Sequence, residues 1–246
     1  MIELSVVVLS LAGASLIMGL TGFGFAIVAI SLVSFVWPVK QIVPFLFVYN
    51  VAINLTLMVQ LWPHVRLRRV APQVIGFVPG ALAGLYGLYR LPDTVLKLVI
   101  GLVLAGFALW SLLTSARKKD PLHWGWHALA GATSGVLGGA VYMAGPPVII
   151  LNTLTHKERF AFKADLQTFF LISNFYLLIA YSALDLFTWP LLRMNLYLAP
   201  FMLLGLWAGT RLCRSISDAR FQNIAYGLLL IMGALLIARA VKAVIQ

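Results

Sequence analysis

Two glycine-rich segments lie inside apolar stretches of the chain, and their residue types suit the binding of a small anion. The first covers 19–24, and the second combines 135–139 with 145–147. Glycine and proline at this density break a helix, and the half-helix after a break has free N–H groups and a positive dipole end. Glycine lets those groups approach a ligand, and Pro146 and Pro147 suit a helix start. The breaks therefore predict an anion site, unless the glycines only allow close helix packing.

Candidate ligands for that anion come from the breaks and from polar residues in the spans that follow them. Asn50 and Asn174 each lie in the middle of a span, where an amide can donate to an oxyanion or bond to a neighbouring helix. Asn54 lies one turn after Asn50, and Gln167 lies about two turns before Asn174. The predicted substrate-binding residues are Thr21, Gly22, Phe23, Gly24, Asn50, Asn54, Ser134, Gly138, Gly139, Tyr142, Pro146, Gln167 and Asn174.

The sequence carries no motif for a metal, a nucleophile or a nucleotide. The histidines lie in loops or at span ends, and His123 and His127, beside Trp124 and Trp126, are interpreted as part of an interfacial aromatic belt. A Walker-type motif is absent from the sequence. An intramembrane enzyme would need buried acidic or histidine clusters, which the spans do not supply. We therefore predict no metal, no cofactor and no enzymatic activity.

Composition indicates that lipid is the solvent of this chain. Hydrophobic residues make up 62% of the 246 residues, charged residues make up 10%, and the mean hydropathy is +0.98. Soluble domains are about 45–50% apolar and about 25% charged, so a soluble core could not bury this much apolar surface. The net charge of +11 does not indicate nucleic acid, because the cations lie in short loops between apolar runs. The predicted fold class is an all-α polytopic membrane protein.

Eight apolar segments follow from the hydropathy. A helix that crosses a hydrocarbon core of about 30 Å needs about 20 apolar residues. Two regions, 2–37 and 124–154, contain the glycine-rich breaks, and the pieces after the breaks are too short to cross alone. Each broken region is therefore either one kinked pass or a hairpin that enters and leaves on one side. Six further segments are long enough without a break: 41–62, 70–89, 94–114, 164–184, 189–210 and 221–240.

The distribution of Lys and Arg favours the hairpins. With single passes, the eighteen Lys and Arg divide nine against nine between the two sides. With hairpins, twelve share one side, and an excess of cations marks cytoplasmic loops. Hairpin threading therefore predicts that this side is cytoplasmic and that both termini lie outside. The twelve are Arg66, Arg68, Arg69, Arg117, Lys118, Lys119, Lys157, Arg159, Lys163, Arg211, Arg214 and Arg220.

Recurring residues indicate a duplication. Four residues or short motifs of the first half occur again, in the same order, in the second half. The first recurs after 116 residues and the other three recur after 124 or 125 residues. Residues 1–119 and 120–246 are therefore predicted to be two repeats, each a broken-helix hairpin plus three spans. Three crossings is an odd number, so the second repeat would be inverted, as in many secondary transporters. The pairs are Gly19-x-x-Gly22 with Gly135-x-x-Gly138, Asn50 with Asn174, Gly80-x-x-x-Gly84 with Gly205-x-x-x-Gly209, and Asp93 with Asp218.

The glycine-rich segments, the length and the duplicated halves together resemble the TauE/SafE family of sulfite and organosulfur anion exporters. The residues that carry the resemblance are Gly-Leu-Thr-Gly-Phe-Gly-Phe at 19–25, Ser-Gly-Val-Leu-Gly-Gly at 134–139 and Gly-Pro-Pro at 145–147. The resemblance extends over essentially the whole chain. It implies transport of sulfite, of a sulfonate such as sulfoacetate, or of a related small anion.

The resulting expectation is a secondary transporter of the cell inner membrane that exports a small anion by alternating access. Its predicted partners are the anion and the lipid bilayer, with no nucleic acid. An oligomer is compatible with the sequence but not indicated by it. The alternatives are a passive anion channel and a transporter of a small carboxylate.

Overall fold

The computed structural model describes residues 2–21, 24–113, 122–155, 159–212 and 218–245, and all regular structure within these ranges is helical. A short 3-10 helix, Trp62–His64, joins the third and fourth α-helices. The predicted all-α class is therefore confirmed for the described chain. Its α-helices are α1 (Ile2–Thr21), α2 (Phe25–Val33), α3 (Val39–Leu61), α4 (Leu67–Arg90), α5 (Asp93–Leu113), α6 (Trp124–Val141), α7 (Gly145–Thr155), α8 (Arg159–Ala183), α9 (Trp189–Leu212) and α10 (Asp218–Ile245).

The six uninterrupted apolar segments correspond to the long helices α3, α4, α5, α8, α9 and α10. Residue 114, the last of the segment 94–114, lies outside the described residues. Within the described chain, five stretches are long and apolar enough to cross a bilayer: Val39–Val59, Leu67–Arg90, Asp93–Leu113, Ala161–Ala183 and Trp189–Leu212. Many of their large apolar side chains are exposed, for example Leu196 and Tyr197. An apolar surface of this extent is stable only against lipid. The chain is therefore a multi-pass membrane protein.

The first broken region forms α1 and the half-helix α2. At 1.5 Å per residue, the nine residues of α2 extend about 14 Å, half of a hydrocarbon core. The residue before α2, Gly24, has a φ of 99°, a left-handed conformation that glycine adopts without steric cost. The predicted interruption is thus present and narrower than the glycine run. Gly22 and Phe23 lie outside the described residues.

The second broken region differs from its prediction. α6 continues without interruption from Trp124 to Val141, so the expected break across 135–139 is wrong. The other break predicted for this region, at 145–147, is present. The helix is interrupted between Val141 and Gly145, and α7 places Pro146 and Pro147 in its first turn. The glycines at 135–139 remain helical because they lie in a helix contact, described below, that leaves no room for a Cβ atom.

The helices group into two compact units. Unit 1 consists of Met1–Tyr49, Leu91–Ser115 and Thr188–Gln246, and unit 2 consists of Asn50–Arg90 and Ala116–Phe187. Unit 1 contains α1, α2, α5, α9 and α10, unit 2 contains α4, α6, α7 and α8, and α3 is divided between them at Tyr49. Each unit therefore combines helices from both halves of the sequence.

In unit 1, α1 and α9 pack in parallel through small residues. A Cβ atom on Gly205 would overlap the backbone of Ala12, and one on Gly209 would overlap the backbone of Leu16. The residue numbers rise together along both helices, so the two helices run in the same direction. The Gly-x-x-x-Gly pair of α9 is a packing motif.

The other long pair of unit 1, α5 and α10, is antiparallel. A Cβ atom on Gly101 would lie 2.8 Å from a side-chain carbon of Ile237. The ring of Phe107, further along α5, lies 5.9 Å from the ring of Tyr226, which is earlier in α10. The numbers therefore run in opposite directions along this contact.

In unit 2, α4 and α6 pack in parallel with the same type of contact. A Cβ atom on Gly80 would overlap the backbone of Ala132, and one on Gly84 would overlap the backbone of Val136. From the α6 side, a Cβ atom on Gly135 would overlap the carbonyl oxygen of Phe77. Glycines on both helices bring the backbones close enough for carbonyl oxygens to contact glycine Cα atoms.

The two legs of the second broken region run in opposite directions. The side chain of Gln73, near the start of α4, lies within hydrogen-bond distance of both His127 near the start of α6 and Asn152 near the end of α7. α8 then begins beside the same end of α4, where Arg69 lies 3.9 Å from Asp165. The chain therefore enters and leaves α6–α7 at one end of unit 2, and we call α6–α7 the hairpin.

Candidate functional site

Four polar side chains of unit 2 form a connected hydrogen-bond network. Asn50 Oδ1 accepts from Asn54 Nδ2 at 2.7 Å and from Asn174 Nδ2 at 3.4 Å. Asn174 Oδ1 in turn accepts from the hydroxyl of Tyr142 at 3.2 Å. Asn54, Asn174 and Tyr142 are buried, whereas Asn50 is half-buried. The two asparagines that the sequence pairs at a spacing of 124 residues are thus in contact, and we call these four side chains the amide network.

The orientation of Asn50 determines the chemistry of the amide network. Two N–H donors occupy the side-chain oxygen of Asn50. The other end of the same planar amide carries the Nδ2 group, which can only donate. No carboxylate belongs to the network, so an approaching anion meets donor groups without charge repulsion.

Tyr142 joins the amide network to the tip of the hairpin. It ends α6 with a φ of 54°, a left-handed conformation uncommon for a residue other than glycine. The carbonyl oxygen of Gly138 accepts from the backbone N–H of Tyr142 at 3.1 Å and from the hydroxyl of Tyr181 at 3.4 Å. Outliers of this kind cluster at functional sites because the surrounding structure must hold them in place. The turn between α6 and α7 is therefore fixed by two buried tyrosines.

The glycines predicted to expose backbone N–H groups in the second break have packing roles. A Cβ atom on Gly139 would overlap the carbonyl oxygen of Ala81 in α4. A Cβ atom on Gly138 would lie 3.0 Å from Ala144 Cβ and 3.2 Å from Phe77 Cε2. Both glycines are inside α6, so the need for glycine at these positions follows from helix contacts alone.

The remaining predicted site residues occupy several places in the two units. Ser134 is buried in α6, and its hydroxyl oxygen has no hydrogen-bond partner in the described chain. Pro146 is buried in the first turn of α7, and Gln167 is buried in α8. In unit 1, Thr21 is the last residue of α1, and Gly24 precedes α2. The described contacts bring only Asn50, Asn54, Tyr142 and Asn174 together in the amide network.

Sequence reasoning missed three polar features. Tyr181, which contacts the hairpin turn, has no motif of its own. Gln73 and Asn152 are polar residues within apolar segments, which is a signal of function in membrane proteins, but the sequence does not show that they meet. In unit 1, Asn195 is buried, accepts at its backbone oxygen from the Tyr49 hydroxyl at 2.8 Å, and has no described partner for either side-chain polar atom.

The described part of the chain contains no group of three or more His, Cys, Asp or Glu residues that could hold a metal ion. Asp165, the only acidic residue of α8, is buried and lies 3.9 Å from Arg69 Nη1. The available ligands at the amide network are amides and hydroxyls, which bind an anion by hydrogen bonds rather than by charge.

A multi-pass helical protein with helices interrupted inside the bilayer, and with amide donors at an interruption, has the architecture of a membrane transporter. The chain belongs to the family described as Sulfite exporter TauE/SafE, whose match covers residues 7–236. The resemblance of the glycine-rich segments to that family is thereby confirmed, and the chain is a membrane transporter by family rather than an enzyme. Comparison with curated proteins and with solved structures gave no match.

Proposed function

We propose that this protein is a secondary transporter that exports a small anion, sulfite or a sulfonate such as sulfoacetate, by alternating access. The observation that carries the proposal is the orientation of Asn50, whose oxygen is occupied by Asn54 and Asn174 and whose Nδ2 is therefore presented as a donor. Amide N–H groups bind oxyanions and bind cations poorly. The family description names sulfite, which fits a site made of donors.

The driving force for export requires no nucleotide. A membrane potential that is negative inside favours the exit of an anion by about 2.3 kcal/mol per charge per 100 mV. The transporter then needs only to bind the anion on one side and release it on the other. The sequence, which lacks a Walker-type motif, fits this scheme.

We also propose that the chain consists of two inverted repeats, each a hairpin plus three spans. Matched contacts support the proposal: α1 packs on α9 as α6 packs on α4, with Ala12 and Gly205 corresponding to Ala132 and Gly80. Both contacts are parallel, whereas the corresponding helices α5 and α10 are antiparallel to each other. An in-plane two-fold relation between repeats would produce this combination.

The matched contacts also favour a different alignment of the glycine-rich segments. Gly19 lies against Leu206 and Thr210 of α9, and Gly139 lies against Ala81 and Leu85 of α4. Gly19 would therefore correspond to Gly139, 120 residues later, rather than to Gly135. The helix contact, not the spacing of the glycine pairs, decides this correspondence.

The proposed topology places the cationic ends of the spans in the cytoplasm and both termini outside the inner membrane. The antiparallel legs of the hairpin support it, because a hairpin returns the chain to the side from which it came. Five of the twelve cations, Arg117, Lys118, Lys119, Lys157 and Arg214, lie outside the described residues. A membrane-impermeable thiol reagent should label Glu3→Cys in intact cells, in a Cys213→Ser background, and should not label Arg68→Cys. Labelling of Arg68→Cys alone would invert the topology.

Transport by purified protein in proteoliposomes tests the function. We expect saturable counterflow of labelled sulfite and sulfoacetate and little counterflow of acetate. Asn50→Asp replaces the donor with an anionic oxygen and should raise the anion KM about tenfold or more, since a hydrogen bond to a charged group contributes about 1.5–3 kcal/mol. Thr56→Ala, an exposed position on the same helix, is the matched control and should transport like the wild type.

Each other outcome of that experiment has a defined meaning. Flux that rises linearly with anion concentration and shows no counterflow would identify a passive channel. Saturable acetate counterflow without sulfite or sulfoacetate counterflow would assign a small carboxylate instead. Unchanged sulfite KM in Asn50→Asp would remove the amide network from the binding site and leave the asparagines as contacts between helices.

A further inference from the structure

Three polar side chains from three helices meet at the base of the hairpin, opposite the amide network. Gln73 Nε2 of α4 donates to Asn152 Oδ1 of α7 at 2.9 Å and lies 3.3 Å from His127 Nδ1 of α6. Gln73 is 2% exposed, Asn152 is fully buried, and His127 is half-buried. We call these three side chains the base cluster. They fasten both legs of the hairpin to α4.

The base cluster contains an unused acceptor. Gln73 Oε1 is buried and has no hydrogen-bond partner among the described residues. An unsatisfied buried polar atom is costly inside a membrane protein, so its retention requires a reason. Since Gln73 Nε2 is the donor in the contact with His127 Nδ1, that ring nitrogen must be unprotonated in this arrangement. The oxygen would be needed once Nδ1 carries a proton.

We propose that the base cluster is the binding site for a coupling proton, with His127 as the proton acceptor. This inference rests on the proposed transport function. A proton from water adds to the Nδ1 lone pair of His127, the ring becomes a cation, and no other covalent bond changes. Histidine is the side chain that gains or loses charge between about pH 5 and 8, and the ring of His127 at the base of the hairpin is half-buried rather than fully enclosed.

Protonation changes the partners of Gln73. The new N–H of His127 would face the N–H donors of Gln73, so the amide rotates and presents Oε1 to the ring. The same rotation moves Nε2 away from Asn152 Oδ1 and removes the bond between α4 and α7. The proton therefore leaves the contact between α4 and α6 in place and weakens the contact between α4 and α7, the half-helix that carries Pro146 at the hairpin tip.

Charged and titratable groups near His127 belong to α4, α6 and α8. α7, one of the helices packed against α6, has no charged residue. α4, the other, has Arg68 and Arg69 at this end, and Arg69 faces the carboxylate of Asp165 at 3.9 Å. On α6 itself, His123 lies one turn earlier. Lys163 and Arg159 belong to α8, which packs against α4 and α7.

Proteoliposomes with an imposed pH gradient test the proposal. Wild-type protein should accumulate labelled sulfite or sulfoacetate against its gradient when the pH gradient is applied. His127→Gln, which keeps polar groups but does not titrate, should lose this accumulation and retain counterflow, because exchange of anions requires no net proton movement. His123→Gln is the matched control on the same helix, since His123 only accepts from Gly125 N at 3.1 Å, and it should accumulate the anion like the wild type.

A second variant protects the test against a folding defect in His127→Gln. Gln73→Glu places a carboxylate beside His127, which favours the charged ring, so the pH at which transport is half-maximal should rise by about one unit. Accumulation in His127→Gln equal to that of the wild type, or an unshifted pH profile in Gln73→Glu, would overturn the proton site. Absence of wild-type counterflow would instead refute the transport function, so the two failures are distinguishable.

Discussion

The hydroxyl of Tyr142 donates a hydrogen bond of 3.2 Å to Asn174 Oδ1, although the two residues are 32 positions apart in the chain. This bond ties the turn of the hairpin to the middle of α8. Because Asn174 also donates to Asn50, any movement of the hairpin tip alters the amide that we propose to bind the anion. The relationship supplies a direct link between the half-helix α7 and the proposed substrate site.

Removal of the Tyr142 hydroxyl should weaken transport more than it weakens the fold. Tyr142→Phe retains the ring and loses one hydrogen bond, which stabilises a protein by only about 0.5–1.5 kcal/mol. Asn174 would then be free to rotate, and we expect the sulfite KM to rise severalfold while thermal unfolding in detergent shifts by a few degrees at most. Tyr86→Phe, on an exposed ring of α4, is the control and should change neither quantity.

Substitution of Gly24 should impose a purely conformational cost. The backbone has a φ of 99°, yet a Cβ atom there would meet only Ile17 Cγ2 at 4.0 Å. Space is available, so Gly24→Ala should destabilise the protein by about 1–2 kcal/mol through the left-handed conformation alone. Thermal unfolding measures the loss. A loss no greater than that of Gly106→Ala, a glycine within α5 with open space around it, would contradict this explanation.

The matched glycines of the two parallel helix contacts should respond alike. A Cβ atom on Gly19 would lie 2.7 Å from the backbone nitrogen of Thr210, and one on Gly139 would lie 2.8 Å from that of Leu85. Gly19→Ala and Gly139→Ala should each force the helices apart and cost about 1–3 kcal/mol or more. Gly13→Ala, with nothing within 4 Å, should be neutral or stabilising because alanine favours helix. Unequal responses of Gly19 and Gly139 would count against the proposed correspondence.

Asp93 should stabilise the start of α3, although it lies 54 positions after Val39 in the chain. Its Oδ1 accepts from the backbone N–H of Val39 at 2.6 Å, and its Oδ2 lies 2.9 Å from Lys97 Nζ. Asp93→Ala removes both interactions and should cost about 1.5–3 kcal/mol, the range for hydrogen bonds to a charged group. Asp93→Asn keeps an acceptor and should cost less.

Lys97→Met separates the two interactions of Asp93. An ion pair that is partly exposed contributes only about 0–1 kcal/mol, so this variant should be nearly as stable as the wild type. The expected order of thermal stability is therefore Lys97→Met, then Asp93→Asn, then Asp93→Ala. A loss in Lys97→Met as large as that in Asp93→Ala would assign the stabilisation to the ion pair instead of the backbone contact.

The helix interruptions show which structural features can be predicted from neighbouring residues in the sequence alone. Gly24 and the prolines at 146 and 147 mark the start of α2 and α7 correctly, because their backbone preferences act within a few residues. The run at 135–139 has the same composition but remains helical. Gly135 and Gly139 face the backbone of α4, a partner about 55 residues earlier in the chain. No local signal distinguishes a glycine that breaks a helix from one that allows close packing.

The sequence by itself determined the membrane class, the six uninterrupted helices, the presence of two interruptions and the family, because hydropathy and glycine or proline content act locally along the chain. Only the tertiary structure decided which polar groups meet. Asn50 and Asn174 form a contact, and Gln73 brings His127 and Asn152 together. These contacts depend on how helices that are distant in the sequence pack together. In a bilayer that packing is selected by small residues that let the helix backbones approach each other.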